Sequence, residues 1–199
     1  MCGGNEKMKI AIGVPTSGTM KSKTAFSLME TIRQNHLDIF PIFQYGSYVC
    51  ENRERIVDIA GMNLCSHILF VDEDMSFDPD TLPRLLAHDK DIVGVPYNFR
   101  KMPRETVIKF FDENGETVNS LPEMPEELFK VAGIGTGLAL VKMEVFDTIA
   151  PPYFPIERDK DGNMILTEDI GFCEKARANG FDVWLDPTIK AGHIGLYEF

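Results

Sequence analysis

The sequence predicts an α/β protein built on a mostly parallel sheet, and three observations indicate this. Short apolar segments alternate with segments of helical period through residue 95. One apolar segment, Ile68–Val71, ends abruptly in three acids at residues 72–74, as a buried strand does at a sheet edge. Beyond residue 100 the pattern changes, and Asn114-Gly115 predicts a hairpin, so a small antiparallel part is expected there.

The first half supplies the alternating elements of the predicted sheet. Apolar composition predicts strands over Lys9–Val14, Asp38–Phe43, Ile68–Val71 and Asp91–Val95. Helical spacing predicts helices over Lys23–Arg33, Asn52–Leu64 and Pro79–His88. The first of these helices has its apolar residues, Phe26, Leu28, Met29 and Ile32, at that spacing.

The second half contains a hairpin and a further strand–helix series. The hairpin joins Val107–Phe111 to Glu116–Val118, and Pro122–Phe129 is expected to be a short helix or a mobile loop. The remaining elements are a strand over Gly137–Lys142, a helix over Met143–Ile149, a helix over Glu168–Asn179 and a strand over Val183–Leu185. Thr167 is expected to cap the third of these and Gly180 to end it.

Length and composition limit the classes of protein that the chain can belong to. Its 199 residues, 44% hydrophobic and 26% charged, suit one domain over 1–199, with a first half over about 8–100 and a second half over about 101–199. The net charge of -11 argues against nucleic-acid binding. No apolar run approaches the ~20 residues of a membrane span, and residues 1–9 resemble no signal peptide.

The four cysteines indicate a reducing compartment. Cys2, Cys50, Cys65 and Cys173 are scattered and form no CxxC pair, so we expect reduced thiols in a cytoplasmic protein. Neither a zinc site nor a disulfide framework is predicted.

Asp72 and Asp74 are the strongest candidates for metal ligands. If the strand continues through them, both carboxylates lie on one face, about 7 Å apart, and Glu73 lies on the other. Two such carboxylates repel each other unless a cation or a proton lies between them, and a divalent cation bound to a phosphate would fit there. The plain alternative is a solvated acidic strand end. A calcium loop is excluded, because Phe77 and Pro83 occupy the positions that need Gly and Glu.

His193 is the second candidate ligand, since small neighbours, Gly192 and Gly195, would let a ligand approach the backbone. Two carboxylates and one imidazole would suit Mn²⁺ or Mg²⁺ and leave positions for diphosphate oxygens. A lone histidine is nevertheless often an ordinary polar residue. Residues 159–163 resemble a calcium loop, but the spacing fails and a turn is expected.

The acids at the predicted start of the last helix are candidates for a general base. Glu168 and Asp169 could serve the helix dipole, or a carboxylate there could take a proton from an acceptor hydroxyl. The glycine-rich Gly133–Gly137 segment precedes a strand instead of opening a helix, so it is no dinucleotide fingerprint. It would let backbone pass close to a sugar or an acceptor.

Two further features could contact a nucleotide. The Pro15–Thr19 loop follows the first strand and lacks the Walker Lys-Ser/Thr pair, so it is either a base-binding turn or only a turn. Arg53 could reach a nucleotide or pair with an acid. The segment over Arg100–Lys130 could close over a ligand as a flap or form an ordinary surface excursion.

Several of these motifs occur in an order that resembles the GT-A glycosyltransferases, in particular small family-2-like members of bacterial and phage type. They are Pro-Thr-Ser-Gly from 15, Asn-Arg from 52, Ile-Leu-Phe-Val-Asp-Glu-Asp-Met-Ser-Phe-Asp-Pro-Asp from 68, Asp-Ile-Val-Gly-Val-Pro-Tyr from 91, Gly-Thr-Gly-Leu-Ala-Leu-Val from 135, Thr-Glu-Asp-Ile-Gly-Phe-Cys-Glu-Lys-Ala-Arg-Ala-Asn-Gly from 167, and His193. The resemblance covers nearly the whole chain.

The resemblance implies a GT-A fold and a metal-dependent, inverting transfer from a UDP- or GDP-sugar to a saccharide or another hydroxyl acceptor. It implies Mn²⁺ or Mg²⁺ on Asp72, Asp74 and His193, and a base at Asp169 with Glu168 beside it. The implied donor-binding residues are Pro15, Thr16, Arg53, Asp72, Glu73, Gly135 and Gly137. The chain is short for the family and little follows His193, so the acceptor site is not defined, and a homo-oligomer stays open.

Two other functions compete with this hypothesis. A nucleotidyltransferase has a similar sheet and also uses acids with Mg²⁺, but it typically needs a glycine-rich loop with Arg and Lys after the first strand. Here only Lys21 and Lys23 lie nearby. A non-catalytic nucleotide-sugar-binding relic is the other alternative, and the intact acids and histidine argue against it.

Overall fold

The structure, a computed structural model, describes residues 8–102 and 105–195. In chain order its strands are β1 (Lys9–Thr16), β2 (Asp38–Tyr45), β3 (His67–Val71), β4 (Met75–Phe77), β5 (Ile92–Gly94), β6 (Ile108–Phe111), β7 (Thr117–Val118), β8 (Phe129–Val131), β9 (Gly133–Ile134), β10 (Leu138–Lys142), β11 (Glu157–Arg158), β12 (Met164–Leu166), β13 (Val183–Leu185) and β14 (Ala191–His193). Its helices are α1 (Ser22–Gln34), α2 (Val49–Met62), α3 (Thr81–Ala87), α4 (Met143–Thr148) and α5 (Glu168–Ala178).

A seven-stranded sheet in the order β2-β1-β3-β10-β5-β13-β8 forms the centre of the fold. Strands β2, β1, β3, β5 and β13 share one direction, whereas β10 and β8 run against their neighbours. The predicted α/β class with a mostly parallel sheet and a small antiparallel part is therefore confirmed. The position of β10 between β3 and β5 did not follow from the sequence.

The core lies on both faces of this sheet, because alternate side chains of a strand point to opposite sides. On one face Ile10 and Ile12 of β1 belong to the same apolar cluster as Leu28 of α1. On the other face Ala11 joins a cluster with Ile56 of α2 and with residues of α4 and α5. The sheet is thus covered by helices on each side, and functional side chains are left to its ends.

Helix α1 buries a different face from the one its large apolar residues occupy. Phe26 and Met29 are each 64% exposed, whereas Leu28 is buried beside three hydroxyl side chains, Thr24, Ser27 and Thr31. The Ser27 hydroxyl donates to the Phe77 carbonyl at 2.7 Å and accepts from the Phe77 amide at 3.0 Å. A hydroxyl whose hydrogen bonds are satisfied can be buried at little cost. The helix therefore forms where spacing predicted it, but its buried face is not the one that its large apolar residues occupy.

The predicted turns of the second half are largely confirmed. The hairpin turn between β6 and β7 has Gly115 at φ +81°, and residues 159–163 form a turn between β11 and β12 with Gly162 at φ +86°. Gly180 follows the end of α5 at φ +92°, as a glycine stop requires. Thr167 precedes α5 in extended conformation but makes no side-chain cap bond.

Strand pairing joins residues 105–130 to the rest of the fold at several points. Strand β6 pairs with β9, and β8 pairs with β13 at the edge of the central sheet. No helix forms over residues 122–129 in the described chain, so the helical alternative for that stretch is wrong.

The cysteines that the structure describes, Cys50, Cys65 and Cys173, are free thiols, as predicted, and Cys2 lies outside the described residues. Burial raises the pKa of the Cys173 thiol to about 12, so this thiol is inert. In the described ranges no helix has the length and apolar character needed to cross a membrane.

Candidate functional site

The candidate residues meet where the parallel strands of the sheet end. Strand β1 continues through Thr16, so the predicted Pro15–Thr19 loop begins only at Ser17. Strand β3 leads into Asp72, and β5 is followed within three residues by Tyr97. The start of α5 and the segment before β10 complete this edge. Ligand sites of open α/β sheets lie at this end of the strands.

A buried arginine joins three of the candidate acids, and we call Arg53, Asp72, Glu168 and Asp169 the Arg53 cluster. The Arg53 side chain is 1% exposed. Its Nη2 donates to Asp72 Oδ1 at 2.8 Å, and its Nη1 donates to Asp169 Oδ1 at 2.8 Å and to Glu168 Oε1 at 3.2 Å. The cluster thus links the end of β3 and the N-terminal part of α2 to the start of α5.

The charges of the Arg53 cluster explain how a guanidinium can be buried there. Burial alone lowers the pKa of Arg53, but the nearby Asp169, Asp72 and Glu168 outweigh it and raise the pKa above its usual range. Of the two sequence interpretations of Arg53, the ion pair is the one observed. A contact of Arg53 with a nucleotide stays a prediction.

Asp169 is held by a second donor that sequence analysis missed. The Thr136 hydroxyl, fully buried just before β10, donates to the same Oδ1 of Asp169 that Arg53 contacts. Both hydrogen bonds made to this carboxylate within residues 8–102 and 105–195 go to Oδ1, and neither uses Oδ2. The Gly-Thr-Gly motif predicted the location of Thr136 but not its role.

Tyr97 also escaped the sequence analysis, although it explains the glycine-rich segment. Its hydroxyl accepts the Gly137 amide hydrogen at 3.0 Å, and the ring is 6% exposed. A Cβ on Gly135 would lie 2.1 Å from the Tyr97 oxygen, and a Cβ on Gly137 would lie 2.7 Å from it and 2.9 Å from Asp72 Oδ2. These two glycines therefore make room for Tyr97 and Asp72, whereas the sequence suggested that they make room for a ligand.

Glu73 fixes the loop after β1. Its Oε2 accepts the Thr16 hydroxyl at 2.6 Å and the Ser17 amide at 2.9 Å, and its Oε1 accepts the Ser17 hydroxyl at 2.7 Å. Glu73 and Thr16, both predicted as donor-binding residues, are thus brought together, and Pro15 lies one residue earlier on β1. Contacts of any of them with a nucleotide remain a prediction.

Asp74 lies between an arginine and a histidine at a second location, and we call Asp74, Arg100 and His193 the Asp74 corner. Arg100 Nη1 lies 2.6 Å from Asp74 Oδ2, and His193 Nε2 lies 3.3 Å from Asp74 Oδ1. The other ring nitrogen of His193, Nδ1, lies 2.9 Å from the Asn98 carbonyl oxygen, and the ring meets Tyr97 edge-on at 5.5 Å. β14 pairs antiparallel with β4, so residue 193 lies beside residue 75.

Within the Asp74 corner, Asp74 and His193 shift each other's pKa. Burial raises the pKa of Asp74, but His193 and Arg100 outweigh it, and the pKa lies below its usual value. Burial lowers the pKa of His193, but the hydrogen bond to Asp74 outweighs it, and the pKa lies above its usual value. Each partner thus favours the charged form of the other.

The expected alternation of Asp72 and Asp74 on one strand face is wrong, because β3 ends at Val71 and residues 72–74 form a turn. The turn gives the two acids different partners, Arg53 for Asp72 and His193 with Arg100 for Asp74. Among the described residues no three His, Cys, Asp or Glu side chains are clustered as a metal site would require. Asp74 and His193 are brought together as predicted, whereas Asp72 faces the buried arginine.

A cavity of about 920 Å³ opens beside the Arg53 cluster. Its walls come from β6 with the residues before it, from residues 119–124 and from the start of α5. Glu168 and Asp169 line it, so the candidate base is accessible to a ligand there.

Comparison with known proteins identifies the fold. No protein-family model matches this sequence, and no curated protein matches it. By contrast, 240 chains of solved structures match the fold. They include the A197 protein from STIV, at a TM-score of 0.65 and 18% identity, with 94% of this chain and 85% of that chain covered.

Two further matches are proteins whose descriptions name a ligand or a reaction. Residues 1–349 of S. aureus TarS, in complex with UDP-GlcNAc, match at a TM-score of 0.51 and 16% identity, covering 89% of this chain and 56% of that one. A protein from Desulfovibrio desulfuricans G20, provisionally assigned as a nucleotide-diphospho-sugar transferase, matches at 0.50 and 10% identity, covering 91% and 80%. Identities this low establish the fold alone: the chain has a small GT-A-like fold, as the sequence predicted.

Proposed function

We propose that the protein is a metal-dependent glycosyltransferase that moves a sugar from a nucleotide-diphospho-sugar to an acceptor hydroxyl with inversion. The observation that supports this most directly is the Arg53 cluster. It fixes a carboxylate of α5, Asp169, beside a large cavity and ties it to the acid that follows β3. A general base close to the site of the donor is what an inverting transfer needs.

The donor would bind at the ends of β1 and β3, with the nucleotide near Thr16 and Glu73. The hydrogen bonds between Glu73 and the loop after β1 support this placement, because they give that loop a fixed shape before any ligand arrives. The TarS structure was obtained with UDP-GlcNAc, and a UDP- or GDP-sugar is the class we propose here.

The Asp74 corner would supply two of the three ligands that we propose for a divalent cation, Asp74 and His193. His193 Nδ1 is oriented by the Asn98 carbonyl, which directs Nε2 toward Asp74, and such an outer partner is typical of a metal-binding histidine. Asp74 and His193 would hold Mn²⁺ or Mg²⁺, and Asp72 is the third proposed ligand. The cation would supply positive charge against the diphosphate, whose negative charge grows as the sugar leaves.

The protein's own residues would then act on the acceptor. Asp169 Oδ2 takes the hydroxyl proton while the acceptor oxygen forms its bond to the anomeric carbon, and the bond between that carbon and the diphosphate oxygen breaks. Arg53 and Thr136 hold Oδ1 and thereby fix the direction of Oδ2. Glu168 shares Nη1 of Arg53 and supports this arrangement.

A panel of nucleotide sugars, incubated with Mn²⁺ and mixed hydroxyl acceptors, tests the proposal. We expect release of a nucleoside diphosphate, with loss of transfer but near-normal nucleotide affinity in Asp169→Asn. Asp78→Asn, an exposed acid outside both clusters, is the matched control. In a parallel incubation with nucleoside triphosphates and sugar 1-phosphates, release of pyrophosphate would instead indicate a nucleotidyltransferase. Release of neither product would favour a binding relic, and full transfer by Asp169→Asn would reject the base.

A further inference from the structure

The cavity beside Asp169 is lined by both apolar and polar side chains. Its apolar residues come from the segment around β6, from residues 119–124 and from the first turn of α5, and they include Val107, Ile108, Leu121, Met124 and Ile170. These side chains have no polar atoms that can hydrogen-bond strongly. A ligand that contacts them gains mainly from removing hydrocarbon surface from water.

The charged residues around this cavity are already paired within the protein. Lys109 donates to the side chain of Asn119, and Glu105 lies 2.6 Å from Lys101. Lys109 keeps its positive charge, because an amide is neutral, whereas Glu105 is paired with a cation. Glu168 and Asp169, which Arg53 holds, line the cavity at the start of α5. Thr106, Asn119 and Ser120 add hydroxyl and amide groups elsewhere, but most of the lining surface is apolar.

We propose that this cavity binds an acceptor that has a hydroxyl-bearing end next to a sizeable apolar part, such as an alkyl or aryl glycoside or an amphiphilic alcohol. The hydroxyl would lie at Asp169 Oδ2, and the apolar part would lie against Val107, Leu121 and Met124. The inference depends on the proposed function for the role of Asp169, and it narrows the acceptor to one chemical class.

The size and composition of the cavity support this class over an unsubstituted saccharide. At about 920 Å³ the cavity has the size of pockets that enclose a drug-sized ligand. A free sugar presents hydroxyl groups on all sides, and each one buried against hydrocarbon without a partner costs free energy. A molecule with a polar end and an apolar body places hydrocarbon instead of hydroxyl groups against most of the wall, so this cost is smaller.

A matched pair of ligands, hexyl β-glucoside and methyl β-glucoside, tests the inference without any donor. We expect the hexyl compound to bind about 10-fold more tightly or better, because several methylene groups leave water. Calorimetry gives the two affinities. Two-dimensional NMR of methyl-labelled methionine then locates the binding, since Met124 lines the cavity whereas Met62, 83% exposed at the end of α2, does not.

Substitutions in the wall provide the second measurement. Leu121→Asp and the milder Met124→Gln should each remove most of the preference for the hexyl compound, whereas Met62→Asp should leave it unchanged. Thermal unfolding of each variant shows whether the fold is retained, and the NMR experiment on the unmodified protein stands if Leu121→Asp fails to fold.

Equal affinity for the two glucosides, or chemical-shift changes that leave the Met124 methyl group unaffected, would overturn the inference. So would transfer to methyl glycosides as efficient as transfer to the hexyl series. Binding of the hexyl compound at Met124 with no donor cleaved would count against the proposed transferase activity alone, since binding is measured without donor.

Discussion

The Arg53 cluster and the Asp74 corner, both at the sheet edge, differ in how exposed their arginines are. In the Arg53 cluster one fully buried guanidinium holds three acids from β3 and α5. In the Asp74 corner one nearly buried acid is held by an arginine and a histidine, and the arginine, Arg100, is 51% exposed. The first arrangement is part of the core, whereas the second can exchange an exposed partner for a ligand. Tyr97 contacts both, through Gly137 beside Asp72 and through the His193 ring.

The largest expected effect is the loss of Arg53. Arg53→Met leaves three buried or half-buried acids without their shared cation, so we expect a loss of about 3–5 kcal/mol in the free energy of unfolding. Urea unfolding at neutral pH measures it. Arg33→Met, which removes an exposed pair with Glu30, is the control and should have no measurable effect. A loss below about 1 kcal/mol for Arg53→Met would remove the distinction between the two groups.

Asp186, a buried acid outside both groups, shows how much the free energy of unfolding falls when one buried, hydrogen-bonded carboxylate is neutralised. It accepts hydrogen bonds from the Thr188 amide and hydroxyl, and His88 Nε2 lies 2.8 Å away. Asp186→Asn should cost about 1.5–3 kcal/mol at neutral pH. Asp80→Asn, at an exposed acid, should show no comparable loss.

The loss of stability in Asp186→Asn should depend on pH in a defined direction. Burial raises the pKa of Asp186, but the bonds from Thr188 and His88 outweigh it, so the pKa in the folded protein is below its ordinary value. A lowered pKa means that the charge stabilises the fold above the ordinary carboxyl pKa, and that this contribution disappears as the pH falls through the folded value. The difference between Asp186→Asn and the unmodified protein should therefore shrink on acidification. A constant difference would contradict the role of the charge.

A third prediction concerns Tyr97, which connects the two groups. Gly135→Ala places a Cβ 2.1 Å from the Tyr97 oxygen and 2.8 Å from Val107 Cγ1, so we expect a loss of about 1–3 kcal/mol from overpacking. Combining it with Tyr97→Phe should recover part of the loss. Gly61→Ala in α2, where the nearest atom is 3.6 Å away, should be neutral or stabilising. Strictly additive losses in the double variant would show that the phenol is not the obstacle.

The smallest effect on stability is expected at Arg100. Arg100→Met should change the free energy of unfolding by no more than about 1 kcal/mol, because the side chain is half exposed. The same change should tighten Mn²⁺ binding, measured by calorimetry, because it removes a competing cation from Asp74. Lys101→Met, which breaks an exposed pair with Glu105, is the matched control. Weaker Mn²⁺ binding in Arg100→Met would contradict the proposed cation site.

The sequence predicted local structure and the location of the site better than it predicted the contacts there. Strand β3 and helix α5 lie where apolar composition and helical spacing placed them, and Asp74 and His193 meet across more than a hundred residues. The role of Arg53 was open, because whether an arginine faces a ligand or an acid depends on tertiary burial. Thr136 and Tyr97 gave no signal of their own, since both act through packing that a single sequence does not specify.

The order of strands has a consequence for how the chain reaches its native state. Strand β5 forms its ladders with β10 and β13, both of which follow it by more than forty residues, and with no earlier strand in the described part of the chain. A nascent polypeptide that has emerged only to residue 100 therefore has β1, β2 and β3 ready to pair but no partner for β5. We expect such a fragment to stay incompletely folded, and the cooperative step of folding to wait until residues 138–185 have been synthesised.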